Sequence, residues 1–427
     1  MHKECLETLF SRRKSCVDTL KGVVMEEKDV QRLYETSRRL AREVSMAFRR
    51  QLYSEINWNS RLVCIRGAKG TGKTTLVLQH MRDAFPSDDD KALFVSLDNI
   101  WFAAHDVLDL ADWHWKHGGT HLFLDEVHHL KNWQTIIKNM YDAYPSLNIV
   151  YTGSSMLRLE AGSGDLSRRR VPYTLPALSF REYLKFENVL DMDCVQLDTL
   201  LSNHRSIAAE VADSVRILEH FSRYLKYGCY PFYKEGIGEF EIRLREVVNQ
   251  ILEIDYPMID DVSVATTMKA KKMLVILAEN APQTPKMAHL YRELETDRNQ
   301  GLKVLKALAR AGLLQLLSSQ KASLKDMSRP DKIYLDNTNL MCALAGEADV
   351  GCERETFFLN QLRSAGHDVT YPPEGDFKVD GQYLFEVGGA GKGFSQIKDI
   401  PDSFVAADGI ETGLGNKIPL WLFGFLY

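Results

Sequence analysis

The sequence predicts an α/β fold built on a parallel sheet, and three observations predict it. An apolar stretch, Arg61 to Ile65, runs into Gly67-x-x-x-x-Gly72-Lys73-Thr74 and then into Leu76-Val77-Leu78, which reads as strand, loop and helix. A second apolar strand, His121-Leu122-Phe123-Leu124, ends in Asp125-Glu126. Between and after these, strand-like and helix-like segments alternate, as βαβ units require.

The first stretch carries chemistry as well as fold. Gly67, Gly70 and Gly72 let the backbone curl so that successive N–H groups converge on phosphate oxygens, and the helix that starts near Lys73 turns its positive end to the same place. The whole run Gly67, Ala68, Lys69, Gly70, Thr71, Gly72, Lys73, Thr74 and Thr75 is the candidate nucleotide cradle. Lys73 is placed to reach the β- and γ-phosphates, and the Thr74 hydroxyl to hold Mg²⁺. The next strand is Ala92 to Asp98. In the strand ending at Asp125-Glu126, Asp125 is the expected metal-organising carboxylate and Glu126 the general base that polarises the attacking water. His128 and His129 follow, and packing or capping is the preferred reading for both. Leu147 to Ser155 is a further strand ending in hydroxyls. One of Thr152, Ser154 and Ser155 is expected to lie between Glu126 and the γ-phosphate, with Ser154 taken as the nucleotide contact. Arg168, Arg169 and Arg170 come after it and offer a cation for the developing γ-phosphate charge, supplied to a neighbouring copy.

From Trp58 to Leu184 these motifs together resemble the AAA+ superfamily. They are most similar to ATP-binding proteins of bacteria and archaea that carry a C-terminal domain of unknown function. The residues that carry the resemblance are Gly67 to Thr75, Leu124 to His129 with Trp133 behind them, Thr152 to Ser155, and Leu175-Pro176-Ala177-Leu178-Ser179-Phe180-Arg181-Glu182-Tyr183. The last run serves no nucleotide chemistry and is expected to join the ATPase core to a lid. The resemblance implies ATP as the nucleotide and a homo-oligomer. It selects Arg169 as the arginine finger, although Arg168 stands where the family has glycine.

The remaining elements follow in order. Residues 1–51 read as a helical segment in which Arg38, Arg39, Arg42, Arg49 and Arg50 form a solvated basic face. Residues 52–185 are the expected phosphate-loop core, and 186–265 a helical lid interrupted at Tyr227-Gly228-Cys229-Tyr230-Pro231. Residues 266–346 pattern as three helices and a hairpin, a winged helix, which the resemblance also implies. Lys303, Lys306 and Arg310 lie on its candidate recognition helix and Lys321 and Lys325 in its wing, so DNA contact stands beside a pure packing role. Residues 347–427 are expected to be a separate unit: a helix at about 353–364, strands at 368–371, 376–379, 382–387, 404–406 and 419–425, and a helical stretch at 395–400. That order resembles the PD-(D/E)xK nuclease fold. Asp376 and Glu386 fall at its metal carboxylates and Glu355 at its helix acid, but Gly388 stands where that family has lysine, with Lys392 or Lys398 as substitutes off the motif spacing.

Composition limits the alternatives. Over 427 residues the formal charge is -5, so any nucleic-acid surface must be a local patch. The seven cysteines are scattered, with no Cys-x-x-Cys pair, which argues against a disulfide framework or a zinc knuckle. No apolar run has membrane-spanning length, and a cytoplasmic location is expected. The functional expectation is Mg²⁺-dependent ATP hydrolysis coupled to nucleic-acid binding. Its alternatives are a nucleotide-controlled oligomeric switch with a non-catalytic docking domain, and an ATP-regulated nuclease.

Overall fold

A computed structural model describes residues 25–86, 89–154, 166–279, 287–319, 330–345 and 349–427. The nucleotide core is a five-stranded sheet in the order β2-β3-β4-β1-β5. Its strands are β1 (Leu62–Gly67), β2 (Ala92–Ser96), β3 (His121–Asp125), β4 (Asn148–Ser154) and β5 (Val171–Thr174), and every pairing is parallel. Parallel strands buried on both faces read as continuous apolar runs, and these do. Leu62, Cys64, Leu122 and Leu124 face one layer, which holds helix α3 (Val107–Lys116) and helix α4 (Trp133–Ala143). Val63, Ile65 and Phe123 face helix α2 (Lys73–Ala84) on the other side.

Helix α1 (Glu27–Glu43) packs along the edge strand β2. Its Val30, Leu33 and Tyr34 enter the first layer and its Ala41 the second, so the helix covers an edge that would otherwise be open to pairing. The topology sets the site. Strand β4 lies between β1 and β3, so the ends of three adjacent strands present Gly67, Thr152 and Asp125 at one edge of the sheet. The carboxyl edge of such a sheet is where ligands bind.

Helix α5 (Phe180–Phe186) leaves the sheet. Helices α6 (Leu197–Ser214), α7 (Ile217–Arg223), α8 (Phe240–Gln250) and α9 (Tyr256–Asp260) form the helical region after it, with wide helical turns at Tyr224–Gly228 and Ile251–Asp255. Next come α10 (Val264–Glu279), α11 (Met287–Glu293), α12 (Arg298–Arg310) and the antiparallel pair β6 (Leu314–Leu317) and β7 (Lys332–Leu335), then α13 (Thr338–Ala345). On α12, Lys303 is exposed and Lys306 and Arg310 are half-buried. Lys321 and Lys325, expected in the wing, lie outside the described residues.

The C-terminal part opens on helix α14 (Val350–Ser364). Its sheet has the order β12-β11-β10-β9-β8, from β8 (Val369–Thr370), β9 (Phe377–Val379), β10 (Tyr383–Gly388), β11 (Ser403–Ala407) and β12 (Lys417–Pro419). Strands β8, β9 and β10 pair antiparallel, and β10, β11 and β12 parallel. Two expectations are corrected here. The apolar run at 419–425 is a strand only to Pro419, and Leu420–Phe425 is a buried 3-10 turn, since an apolar run buried on every side has no period to tell strand from turn. Residues 395–400 form turns and not a helix. The C-terminal sheet also shares one continuous apolar core with the helical region, where Phe180, Phe221 and Tyr224 meet Phe357 and Phe425 edge to face.

Candidate nucleotide site and a second carboxylate cluster

The phosphate loop is closed by its own lysine. Lys73 is buried, and its Nζ donates to the carbonyls of Gly67 and Ala68, each at 3.1 Å. Gly72 holds φ 95° and Gly70 φ 85°, a region in which a side chain is strained. A Cβ on Gly70 would stand 2.8 Å from the Phe232 ring, and the nearest atom to one on Gly72 is Pro231 Cγ. The Tyr230-Pro231-Phe232 turn of the helical region therefore lies directly over the loop.

Four groups meet at the edge of the sheet. Thr74 Oγ1 donates to Asp125 Oδ2 at 2.7 Å, and Thr152 Oγ1 donates to Asp125 Oδ1. The Glu126 N–H donates to Thr152 Oγ1 at 3.1 Å. Burial, and then the adjacent Glu126, push the Asp125 carboxyl up from its ordinary value, while Thr152, Thr74 and Lys73 pull it down. Glu126 holds a left-handed backbone (φ 55°), rare for this residue type and concentrated at functional sites. Thr74 and Asp125 supply a hydroxyl and a carboxylate oxygen on one side of the loop, the hard oxygen donors that suit Mg²⁺.

The Thr152 hydroxyl contacts Asp125 and the Glu126 backbone. Ser154 closes β4, and Ser155 lies outside the described residues. Arg169 is not brought to this site within the chain. It precedes β5, whose Val171 pairs with Val63 near the start of β1, so it sits at the opposite edge of the sheet from the loop. There its guanidinium pairs with Asp142 at 3.1 Å.

Sequence reasoning missed two residues. Arg50, grouped with the solvated arginines, is buried and donates to Glu182 (3.0 and 3.1 Å), to the phosphate-loop carbonyl of Thr71 (2.7 Å) and to the carbonyls of Pro176 and Ala177 (2.9 and 3.0 Å). Burial raises the Glu182 carboxyl, but the Arg50 guanidinium and the Gln51 N–H outweigh it and hold it below the usual carboxylate range. The available signal was Glu182 itself, an acid in an apolar run that must find a cation. The expected joint at Leu175 to Tyr183 is thus a capped helix start, with Ser179 and Glu182 forming a capping box, tied to the phosphate loop through Arg50. The second missed residue is Asp255, whose Oδ1 stands 3.5 Å from His128 Nε2.

The C-terminal acids also converge. Lys332 Nζ is 3.0 Å from Glu355 Oε2 and 3.8 Å from Asp376 Oδ1, and the Tyr334 hydroxyl donates to Glu355 at 2.7 Å. Asp376 Oδ2 accepts the Val387 N–H at 2.9 Å, which sets it beside β10. Glu386 is buried and pairs with Lys392. A Cβ on Gly388 would stand 2.9 Å from the side-chain carbons of Lys392. Gly388 therefore makes room for the side chain of a lysine four residues on. Burial lowers the Lys392 ammonium, but Glu386, Asp376 and Glu355 together hold it above its ordinary value. Lys398 is exposed.

Comparison with known proteins agrees with the nucleotide core. A family model described as an AAA domain matches residues 59–184. The uncharacterized Methanocaldococcus jannaschii protein MJ1637 is 25% identical over 396 residues, spanning 85% of this chain and 82% of its own. A second from that organism, MJ1544, is 23% identical over 341 residues, 75% of this chain and 71% of its own. Among solved structures, PCH-2 of C. elegans matches at TM-score 0.22 and 17% identity over 40% of this chain and 49% of its own. Aeropyrum pernix Orc1 in complex with DNA matches at 0.30 and 12% over 76% and 93%, and AMPPCP-bound DnaA from Aquifex aeolicus at 0.23 and 16% over 68% and 90%. With the matched family model and the motif geometry together, the chain contains a distant P-loop ATPase-like domain of the AAA+ type.

Proposed function

We propose that this chain is a Mg²⁺-dependent ATPase. The observation that carries the reading is the hydrogen-bonded run Thr74–Asp125–Thr152–Glu126 beside the loop that Lys73 closes. In the proposed reaction the loop N–H groups take the phosphates, and Lys73 leaves its two carbonyl partners for the β- and γ-oxygens. Thr74 and Asp125 would hold Mg²⁺, which when bound supplies neutralisation of the phosphate charge. Glu126 orients the attacking water and accepts its proton. Thr152, bonded to the backbone of Glu126 and the side chain of Asp125, registers whether the γ-phosphate is present. Arg169 acts on a neighbouring copy, in line with its place at the far edge of its own sheet. Mixing a Lys73→Ala copy with an Arg169→Ala copy should then lower turnover less than either variant alone.

The test is binding and turnover measured together. Lys73→Ala should lose nucleotide binding. Glu126→Gln should keep it and lose turnover by about 10²-fold or more. Turnover at the wild-type rate in Glu126→Gln would overturn the assignment of the base.

For what ATP drives, we propose nucleic-acid coupling through α12, on which Lys303 is exposed and Lys306 and Arg310 lie nearby. ATPase activity should rise with added DNA and the rise should fade with salt, as phosphate contacts do. Turnover indifferent to DNA favours instead the oligomeric switch. A second reading, ATP-regulated phosphodiester cleavage, is favoured by one observation: Lys392 reaches Glu386 over Gly388, in a cluster with Asp376 and Glu355. Asp376→Ala and Glu386→Ala should each abolish any Mg²⁺-dependent cleavage, and cleavage that survives both removes this reading.

A further inference from the structure

The segment after Glu126 holds a group that nucleotide hydrolysis leaves without a role. His128 is buried, its side chain 2% exposed, and Asp255 beside it is equally buried. Neither ring nitrogen of His128 and not Asp255 Oδ1 has a hydrogen-bond partner among the described residues. Buried polar atoms are nearly always satisfied, so His128 Nε2 and Asp255 Oδ1, two orphans facing one another, call for a bound group. His129 completes the set. One ligand atom from each of His128, His129 and Asp255 can be chosen so that all three lie within 4.8 Å of one another.

We propose that His128, His129 and Asp255 form a transition-metal site of the zinc class, distinct from the Mg²⁺ position at Thr74 and Asp125. The spacing fits. His128 Nε2 and Asp255 Oδ1 are 3.5 Å apart, long for a hydrogen bond but close to the edge of a tetrahedron around Zn²⁺, about 3.4 Å for ligand bonds near 2.0–2.1 Å. The donor set fits as well. Two imidazoles and a carboxylate select Zn²⁺, Co²⁺ or Ni²⁺ over Mg²⁺, which takes oxygen ligands. The other nitrogen of the His128 ring, Nδ1, stands 3.2 Å from Glu126 Oε2. With metal on Nε2, Nδ1 carries the proton and donates to that carboxylate, the usual outer partner of a metal-bound histidine.

The site joins two parts of the chain. His128 and His129 lie on the turn after the catalytic strand, and Asp255 ends the Ile251–Asp255 turn of the helical region. Bound metal would fasten that region to the core and hold Glu126 against His128, away from the attacking water. This consequence rests on the ATPase reading, whereas the metal site itself does not.

The experiment measures Zn²⁺ uptake by the full chain without nucleotide, by dialysis against micromolar Zn²⁺ in excess Mg²⁺, followed by elemental analysis. Parallel titrations use Co²⁺ and its visible absorption. Wild type should take up one equivalent more Zn²⁺ than His129→Gln or Asp255→Asn, and only wild type should show the intense visible bands of a four-coordinate Co²⁺ site. Zn²⁺ should then slow wild-type ATP turnover, and that inhibition should weaken at least tenfold in both variants. Thermal melts in chelator confirm that the variants fold, and the half-buried His129 is the safer of the two positions. Equal uptake by all three proteins, with no Co²⁺ bands in wild type, overturns the site and leaves His128 as a histidine bridging two carboxylates. Mg²⁺-ATP turnover of wild type in chelator tests the ATPase reading separately.

Discussion

All three guanidinium nitrogens of Arg50 donate inside the protein: to Glu182, to the phosphate loop at Thr71, and to the run that begins the lid connection. Removing it takes the paired cation from a buried carboxylate, so Arg50→Met should cost about 3–5 kcal/mol in urea unfolding. The pH dependence should reverse as well. In wild type the folded Glu182 value is depressed, so its contribution is present above the ordinary carboxylate value and is lost as pH falls through the folded one. In Arg50→Met burial dominates and raises that value, so the variant should lose stability relative to wild type as pH rises through the carboxylate range. A variant as stable as wild type, with an unchanged pH profile, would contradict the role of Arg50. Sequence reading misses this because an arginine in a basic run looks solvated whether or not one member turns inward. The groups of the proposed nucleotide site stand out more clearly. Lys73, Thr74, Asp125 and Glu126 are legible because the chemistry proposed for them demands those residue types at those positions. The contacts of Thr152 emerge only once β4 is set beside β3.

The elements themselves follow from pattern wherever one face is apolar and the other wet. Helices α2, α3 and α4 are of this kind, as are the three helices before the β6–β7 pair, while the core strands, buried on both faces, show as short continuous apolar runs. Such a run does not by itself tell strand from turn, as at Leu420–Phe425. The exit of β7 also shows burial acting on charge. The Asp336 carboxyl is pushed up to about 6, chiefly by burial, with Asn337, Arg363 and Gln315 opposing. An acid raised in the folded state contributes stability below its unfolded value near 3.8 and loses it as pH rises through about 6. Asp336→Asn should therefore gain on the order of 1 kcal/mol on wild type between about pH 5 and pH 8, read from denaturant melts. A constant difference across that range would mean the carboxyl is not perturbed. Because Asn337 also donates to the Tyr230 hydroxyl, the turn over the phosphate loop is joined to this strand.

Over the whole molecule, the contacts radiate from the phosphate loop. Phe232 and Pro231 lie on it, Arg50 ties it to Glu182, and Arg181 and Ser179 beside Glu182 donate to the Tyr427 carbonyl at 2.9 and 2.8 Å. These contacts join the loop to the C-terminal residues through packed groups, which motif spacing alone could not reveal: Asp255 and His128, or Arg50 and Glu182, are far apart in sequence. The proposed function stands first on whether the loop and its acids hydrolyse ATP. The measurement that tests this most directly is phosphate release from Mg²⁺-ATP by wild type and Glu126→Gln, with nucleotide binding determined on the same preparations. The prediction is turnover in wild type, and binding without turnover in Glu126→Gln. Equal phosphate release from the two proteins, or an absence of ATP binding in wild type, would contradict it.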